Sequence, residues 1–182
     1  GMNTPMPVKT LAPTALRRRT LLALLPAPAL LLAGCGFKLR GVQQFSFRSL
    51  YIAAPPNSPL ARELQRTLQG ASDAVQVLTD PAQQLQAEAI LEVLSEQHER
   101  TVVGLNASGQ VRELQLRLRL RFKLRTPLGE EWIPETELLQ QRDISYNETI
   151  ALAKEAEEAL LYRNMQTDLV QQLLRRLAAV KP

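Results

Sequence analysis

The sequence is poor in the residue types that build chemical sites. Its 182 residues include one cysteine and one histidine, and aromatic residues make up 4% of the chain. A single cysteine excludes an intramolecular disulfide, and one histidine without a second cysteine excludes a conventional zinc site. The sequence also lacks a Gly-rich phosphate loop, a nucleophile elbow and a histidine-based triad. We therefore predict no catalytic residue, no metal site and no enzymatic activity.

Long apolar runs are also missing, apart from one short stretch near the start. The stretch from Leu21 to Leu32 contains two prolines and is shorter than the roughly twenty residues that span a bilayer. It follows arginines 17–19 and leads, through Ala-Gly, to the sole cysteine, Cys35. This order is typical of a bacterial lipoprotein export signal. We predict that residues 1–34 are a cleaved signal peptide and that Cys35 becomes the lipidated N-terminus.

The predicted modification of Cys35 is an S-diacylglycerol group together with an N-acyl group, and no other cofactor is expected. Lipoproteins kept in the inner membrane commonly carry aspartate after this cysteine, whereas Gly36 follows it here. The sequence thus favours an outer-membrane anchor with the domain on the periplasmic face. The adjacent arginines leave both Sec and Tat export open. Gly1 before Met2 is typical of a cloning scar.

Removal of the predicted signal changes the charge of the chain. The full sequence has 22 basic and 18 acidic residues, and four of the basic ones lie within residues 1–34. The mature chain therefore has equal numbers of each sign, so a nucleic-acid partner is not expected. Residues 35–182 suit a single domain with one hydrophobic core.

Hydrophobic periodicity predicts two helices and a sheet. The helices are expected over 59–70, between a proline and a glycine, and over 147–180. The strands are expected, in chain order, over 48–53, 73–79, 89–105, 114–124 and 131–146. This order predicts an α/β (α+β) sandwich, in which two helices pack on one face of a mixed sheet of four or five strands.

The long C-terminal helix carries an apolar stripe that predicts its buried face. The stripe consists of Ile150, Ala153, Ala156 or Leu160, Leu169, Leu173, Leu174 and Leu177. Two starts for this helix remain open. Ser145 with Glu148 fits a capping box, and Asn147 is a competing N-cap.

The clearest pattern in the chain is the strand at 114–124. Apolar residues alternate there with polar ones, which is the period of a strand and not of a helix. Five of the polar positions form a basic row of Arg117, Arg119, Arg121, Lys123 and Arg125. Like charges about 6.6 Å apart need anions nearby. One interpretation is an exposed cationic strip for phosphate- or carboxylate-bearing partners. The other is cross-strand pairing with Glu92, Glu96, Glu135, Glu137 and Asp143.

The residues around Cys35 resemble a known family. The octapeptide Gly-Cys-Gly-Phe-Lys-Leu-Arg-Gly at 34–41 is similar to the mature N-terminus of the LPS-assembly lipoprotein LptE family. The likeness continues at Ser58-Pro59-Leu60, at Gly109-Gln110 and at Ala151-Leu152-Ala153-Lys154. It implies an outer-membrane lipoprotein that binds lipopolysaccharide and partners an LptD-type β-barrel as plug and assembly factor.

The resemblance implies one ligand-binding residue directly. A lysine in the Ala-Leu-Ala-Lys stretch is associated in the family with lipopolysaccharide, and Lys154 matches it. The alternative is a surface lysine paired with Glu157 or Glu158. A second basic residue of the family, at the tip of the central hairpin, falls near Ala107. Charge alone adds four further candidates, which are Arg112, Arg117, Arg119 and Arg121.

Two functions outside the resemblance remain open. A free-standing, periplasm-facing lipoprotein would capture an anionic or lipidic ligand through the basic strand, without a barrel. A membrane-tethered hydrolase would need a catalytic group that the sequence does not supply. The single histidine, His98, stands between polar residues and is interpreted as a solvated strand residue.

Overall fold

The computed structural model describes Gly1, Pro5, residues 7–8, residues 43–71 and residues 75–182. Cys35 and most of the predicted signal peptide lie outside these residues. The chain divides into two units, Gly1–Gly41 and Val42–Pro182, and the fold below is that of the second. Among the described helices, none is long and apolar enough to cross a membrane.

The second unit is a mixed five-stranded sheet with two helices on one face. The sheet order is β2-β1-β3-β4-β5, with β1 parallel to β2 and β3 and the remaining neighbours antiparallel. Short 3-10 helices occupy Pro81–Gln86 and Glu148–Ile150. The main elements are β1 (Ser49–Ala53), α1 (Pro59–Ala71), β2 (Gln76–Leu78), β3 (Ala89–Leu105), β4 (Val111–Arg125), β5 (Glu131–Ser145) and α2 (Ala151–Ala178). The predicted sandwich is confirmed, and the sheet has five strands.

The first helix begins at the proline that predicts it. Ser58 caps α1, because its Oγ accepts a hydrogen bond from the Ala61 amide at 3.1 Å. The same hydroxyl donates to Glu96 Oε2 at 2.6 Å, which ties the start of α1 to β3. The leucines at one-turn spacing along α1 are buried against the sheet.

The segment between α1 and β3 differs from its prediction. The strand expected over 73–79 is shorter, since β2 covers only Gln76–Leu78, and residues 73–74 lie outside the described part. The polar stretch that follows contains an unpredicted 3-10 helix, Pro81–Gln86, capped by the Asp80 side chain. Polar residues without an apolar period give no signal for such a helix.

The core is built on the alternating strand. All six apolar side chains of β4, from Leu114 to Leu124, are 0% exposed, and they pack in one cluster with residues of α1 and α2. The opposite, basic side of β4 therefore lies on the face of the sheet away from the helices. A second, small cluster of Tyr51, Leu78, Ala87 and Ile90 is buried beside the Arg125 end of that face. Strict alternation predicted this strand and its buried side correctly.

A β-bulge after Val93 changes which side chains of β3 face the helices. Before the bulge, the helix side carries Ala89, Leu91 and Val93, which are buried. Beyond it, the register places Glu96, His98 and Arg100 opposite apolar residues of β4, on the helix side. The half of the sheet that lies under the start of α2 therefore has a polar strand along β3.

The predicted stripe of the last helix is wrong for its first half. Ile150, Ala153, Ala156 and Leu160 are exposed, whereas the buried residues of α2 begin at Met165. The second half of the stripe is confirmed, because the buried set is Met165, Leu169, Val170, Leu173, Leu174 and Leu177.

The exposure of the first half of α2 has a structural cause. Its contacts with the sheet are polar, because Lys154 bonds to Ser145 and Glu158 bonds to Arg100. The neighbouring helix α1 begins only at the level of Gln166, whose Nε2 lies 3.4 Å from the Pro59 carbonyl. The apolar positions of the first three turns thus have no apolar surface to meet.

The competition between the two helix caps is also decided. The Asn147 side chain accepts a hydrogen bond from the Thr149 amide at 3.0 Å and starts the 3-10 turn before α2. Ser145 is the last residue of β5. Asn147 is therefore the cap of the turn that leads into α2, whereas α2 itself begins at Ala151 without a side-chain cap, and the capping box at Ser145 is wrong.

Candidate functional site

The predicted ligand-binding residues lie in two separate places. Lys154 and Arg112 lie at the tip end, which we define as the end of the sheet with the β3–β4 loop, 106–110, and the start of α2. Arg117, Arg119 and Arg121 lie on the open face, defined as the face of β3, β4 and β5 opposite the helices. The five candidates thus do not form one site.

At the tip end, the Lys154 side chain and the backbone of Arg112 contact the end of β5. The Lys154 ammonium donates to Ser145 Oγ at 3.1 Å and forms an ion pair with Glu157 at 2.9 Å. Ser145 pairs across the sheet with Glu113, and the next amide, that of Tyr146, donates to the Arg112 carbonyl at 2.8 Å. The predicted pairing of Lys154 with Glu157 is confirmed, and its contact with a ligand remains a prediction.

Two clefts open at this end of the molecule. One, of about 430 Å³, is lined by residues that include Leu105, Arg112 and Ser145. The other, of about 390 Å³, lies against the start of α2 and includes Arg100 and Leu152. The tip end therefore offers concave surface beside its cations.

Arg100 is a tip-end cation that the sequence did not identify. Its Nε bonds to Glu158 at 3.2 Å, and its guanidinium lies 5.7 Å from the centre of the Tyr146 ring. About half of the Arg100 side chain is exposed. The bulge in β3 puts Arg100 on the helix side. A regular alternation along β3, without the bulge, would place Arg100 on the opposite face.

Exposed apolar side chains accompany these cations. Val102, Val103 and Leu105 on β3 are each exposed by about half, and Leu152 on α2 is 82% exposed. The β3–β4 loop that follows these β3 residues is held by Asn106, whose side chain accepts hydrogen bonds from the amides of two loop residues. The tip end thus combines positive charge with uncovered apolar surface.

His98 is exposed, as predicted, and it also has a specific partner. Its ring stacks on that of Tyr162, with the ring centres 4.6 Å apart. The Tyr162 hydroxyl donates to the Glu99 carbonyl at 2.6 Å. Burial and the nearby Glu158 carboxylate raise the pKa of Tyr162 above its usual value, so this hydroxyl keeps its proton near neutral pH.

On the open face, carboxylates of both neighbouring strands neutralise the centre of the basic row. Arg119 bridges Glu99 on β3, at 3.1 Å, and Glu137 on β5. The hydrogen bond from Arg119 holds the pKa of Glu99 below its usual value. Hydrogen bonds to both carboxylates raise the pKa of Arg119. Arg121 forms an ion pair with Glu135 on β5.

Glu92 lies between the last two cations of the basic row, Lys123 and Arg125. Its carboxylate lies 3.4 Å from Lys123 and also bonds to Arg125. Burial alone would raise the pKa of Glu92, but the hydrogen bond and charge of Arg125, joined by Lys123, outweigh it and lower the pKa. One carboxylate thus contacts two cations.

Arg117 meets its anion indirectly. Its Nε donates to Gln115 Oε1 at 2.8 Å, and the amide of Gln115 lies 3.3 Å from the Asp143 carboxylate. The amide thereby links the two charges. Each of the five cations of the row is therefore bonded to a carboxylate or linked to one.

The structure supports the interpretation that the basic row pairs with acids on neighbouring strands, and not the interpretation that it is a free cationic strip. Of the acids expected to pair, Glu92, Glu135 and Glu137 do so directly. Glu96 does not pair with the basic row, because the bulge turns it toward the helices, where it accepts a hydrogen bond from Ser58. Glu99 on the same strand pairs with Arg119 instead.

A matching sequence profile decides the family. The profile of the family described as LptE, lipopolysaccharide-assembly, matches residues 47–177, which include every strand of the sheet and nearly all of α2. The chain belongs to the LptE family. The family resemblance of the sequence is thereby confirmed on residues beyond the motif at 34–41.

Relatives and a solved structure agree with membership of the LptE family. The LPS-assembly lipoprotein LptE of Pectobacterium atrosepticum is 32% identical over 168 residues, which cover 91% of this chain and 88% of the relative. Its counterpart in Yersinia enterocolitica is 30% identical and is covered over 78% of its length. The solution structure of an uncharacterized lipoprotein B from Nitrosomonas europaea superposes with a TM-score of 0.67 at 33% identity, covering 79% of this chain and 91% of that one.

Acid titration tests the pairing of Glu92 with Lys123 and Arg125 in the basic row. A carboxylate with a depressed pKa stabilises the fold fully above its unfolded pKa, and the contribution is lost as the pH falls through the folded value. For Glu92 this loss occurs below about pH 4.5. We expect Glu92→Gln to lower the free energy of unfolding by about 1 kcal/mol at pH 7 and to have a smaller effect at pH 3.

Urea unfolding at the two pH values measures this difference. Glu155→Gln, which changes an exposed carboxylate on α2, serves as the control and is expected to have little effect at either pH. An effect of Glu92→Gln that is equal at pH 7 and pH 3 would contradict the pairing described above.

Proposed function

We propose that this protein is an outer-membrane lipoprotein subunit of the lipopolysaccharide translocon. In this role it plugs an LptD-type β-barrel, assists assembly of the barrel and helps to pass lipopolysaccharide to the cell surface. Support comes from membership of the LptE family and from relatives named as LPS-assembly lipoproteins. The predicted signal peptide, with Cys35 and Gly36 at its end, suits the location.

The observation that carries the ligand assignment is the composition of the tip end. Lipid A combines phosphate groups with acyl chains. Lys154 and Arg112 can form charge-assisted hydrogen bonds to phosphate, and exposed apolar residues such as Leu105 and Leu152 can meet acyl chains. Binding of this kind makes and breaks no covalent bond.

Within the proposed function, Arg112 is a better ligand contact than the cations of the open face. Arg119 and Arg121 already pair with carboxylates, and Arg117 is linked to Asp143. A phosphate would have to displace these partners. Arg112, whose side chain bonds to the neutral Gln110, has no such competitor among the described residues.

The test combines two measurements on the lipidated protein purified from outer membranes. The first is recovery of a large barrel protein with the tagged wild type. The second is binding of lipopolysaccharide by Lys154→Ala and Arg112→Ala, each expected to be weaker by about ten-fold because a charged hydrogen bond is lost. Lys181→Ala, which changes an exposed lysine at the other end of α2, is the control and should bind as the wild type does.

The outcomes separate the two parts of the proposal. Failure of the wild type to recover a barrel would overturn the translocon role, and ligand binding without a barrel would point to a free-standing lipid-binding lipoprotein. Equal binding by all three variants would overturn the assignment of the ligand to the tip end.

A further inference from the structure

The first half of α2 contributes no buried side chain to the domain. We call residues 151–164 the arm; the structure describes all of them, and none is buried. Burial of α2 against the core begins only at Met165. Elements with few buried apolar contacts open at a lower free energy than the core to which they are joined. The arm is therefore the part of α2 that can leave the sheet most easily.

Polar contacts hold the first ten residues of the arm on the sheet. Near the start of the arm, the Lys154 ammonium donates to Ser145 Oγ at 3.1 Å. In its middle, both carboxylate oxygens of Glu158 accept the Nε–H of Arg100 at 3.2 Å. The Arg100 side chain is 49% exposed, and ion pairs with an exposed partner stabilise a fold only weakly. Water can therefore replace each of these contacts.

Tyr162 makes the last contact of the arm before the buried half of the helix. Its ring stacks on that of His98, with the ring centres 4.6 Å apart, and its hydroxyl donates to the Glu99 carbonyl at 2.6 Å. These contacts join the arm to β3 just before Met165. The boundary between the arm and the buried part of α2 thus lies at residues 162–165.

The helix itself does little to hold the arm in place. α2 begins at Ala151 without a side-chain cap. An isolated helix of about 12–15 residues is marginal in water even for good helix formers, and the arm is no longer than this. Loss of the contacts with the sheet therefore also loosens the backbone hydrogen bonds within the arm.

We propose that the arm opens from the sheet while the rest of the domain stays folded, and that the ion pair of Arg100 and Glu158 is the contact that holds it closed. Opening separates Glu158 from Arg100 and leaves the guanidinium free at the tip end. It also widens the cleft of about 390 Å³ that Arg100, Leu152 and Glu158 line. A cation that is occupied in the closed domain thereby becomes available to an anionic group.

Hydrogen exchange of the lipidated protein purified from outer membranes, measured by mass spectrometry, tests this opening. We expect amides of residues 155–164 to exchange at least about ten-fold faster than those of residues 169–175, because only the second set requires the core to open. Arg100→Gln removes the ion pair with Glu158. It is expected to raise exchange in the arm about two- to five-fold, as for the loss of a partly exposed pair.

Arg142→Gln is the matched control, because it removes an ion pair of the same kind between β5 and Asp168 in the second half of α2. It should leave exchange in the arm unchanged, since the arm opens without the rest of the helix. Wild-type exchange at residues 169–175 in Arg100→Gln would show that this variant remains folded.

Two results would overturn the proposal and leave the proposed function intact. One is equal exchange along the whole of α2 in the wild type, which would show that the arm and the core open together. The other is an equal effect of Arg100→Gln and Arg142→Gln on the arm, which would show that the ion pair of Arg100 does not hold it closed.

Discussion

Leu169→Ala is expected to lower the free energy of unfolding by about 2–5 kcal/mol, whereas Leu160→Ala is expected to change it by about 0.5 kcal/mol or less. Both leucines lie in α2, and the apolar stripe of the sequence predicts both to be buried. Leu169 is 0% exposed in the core cluster, while Leu160 is 50% exposed. The expected difference comes from the cavity that only the first substitution creates.

The pair is well matched, because both substitutions remove the same atoms from the interior of the same helix. The small gain in helix propensity from leucine to alanine is common to both, so it cancels in the comparison. Chemical denaturation of the mature domain measures the two free energies. Similar losses at both positions would show that the first half of α2 packs on the sheet as the sequence predicted.

The contrast between β4 and α2 shows what a periodic sequence can predict. In β4 the alternation assigns each side chain to one of two faces, and from Leu114 to Leu124 one of those faces is fully apolar. In α2 the apolar stripe predicts which side of the helix faces the core, but it does not predict how many turns of the helix rest on apolar surface. That number depends on where α1 begins and on the polar residues Arg100 and Ser145 across the sheet, which are properties of the tertiary structure.

The candidate site was predictable in residue type more than in arrangement. Charge and the family resemblance selected Lys154 and Arg112, and the structure places both at the tip end. The partners of the basic row depend on strand register, and a single bulge after Val93 exchanges Glu96 for Glu99 as a partner. One inserted residue reverses every later side chain of a strand, so the period of the sequence does not reveal such an exchange.

Substitution of the sole cysteine is expected to remove the lipid from the protein. In the predicted lipoprotein signal at 17–35, the Cys35 thiol is the acyl acceptor, and cleavage follows the first acylation. We therefore expect Cys35→Ser to abolish labelling by radioactive palmitate and to leave residues 1–34 attached. Mass spectrometry of the N-terminal peptide measures both effects, and it does so even if a barrel partner retains the unlipidated chain in the membrane.

Gly36→Asp is the matched control for this prediction, because it changes the neighbouring residue and keeps the thiol. It should retain the palmitate label and the cleaved N-terminus, while part of the protein moves from the outer to the inner membrane on density-gradient fractionation. A Cys35→Ser protein that is still labelled and cleaved would contradict the lipoprotein signal. The proposed location of the plug at the outer membrane would then lose the predicted anchor on which it rests.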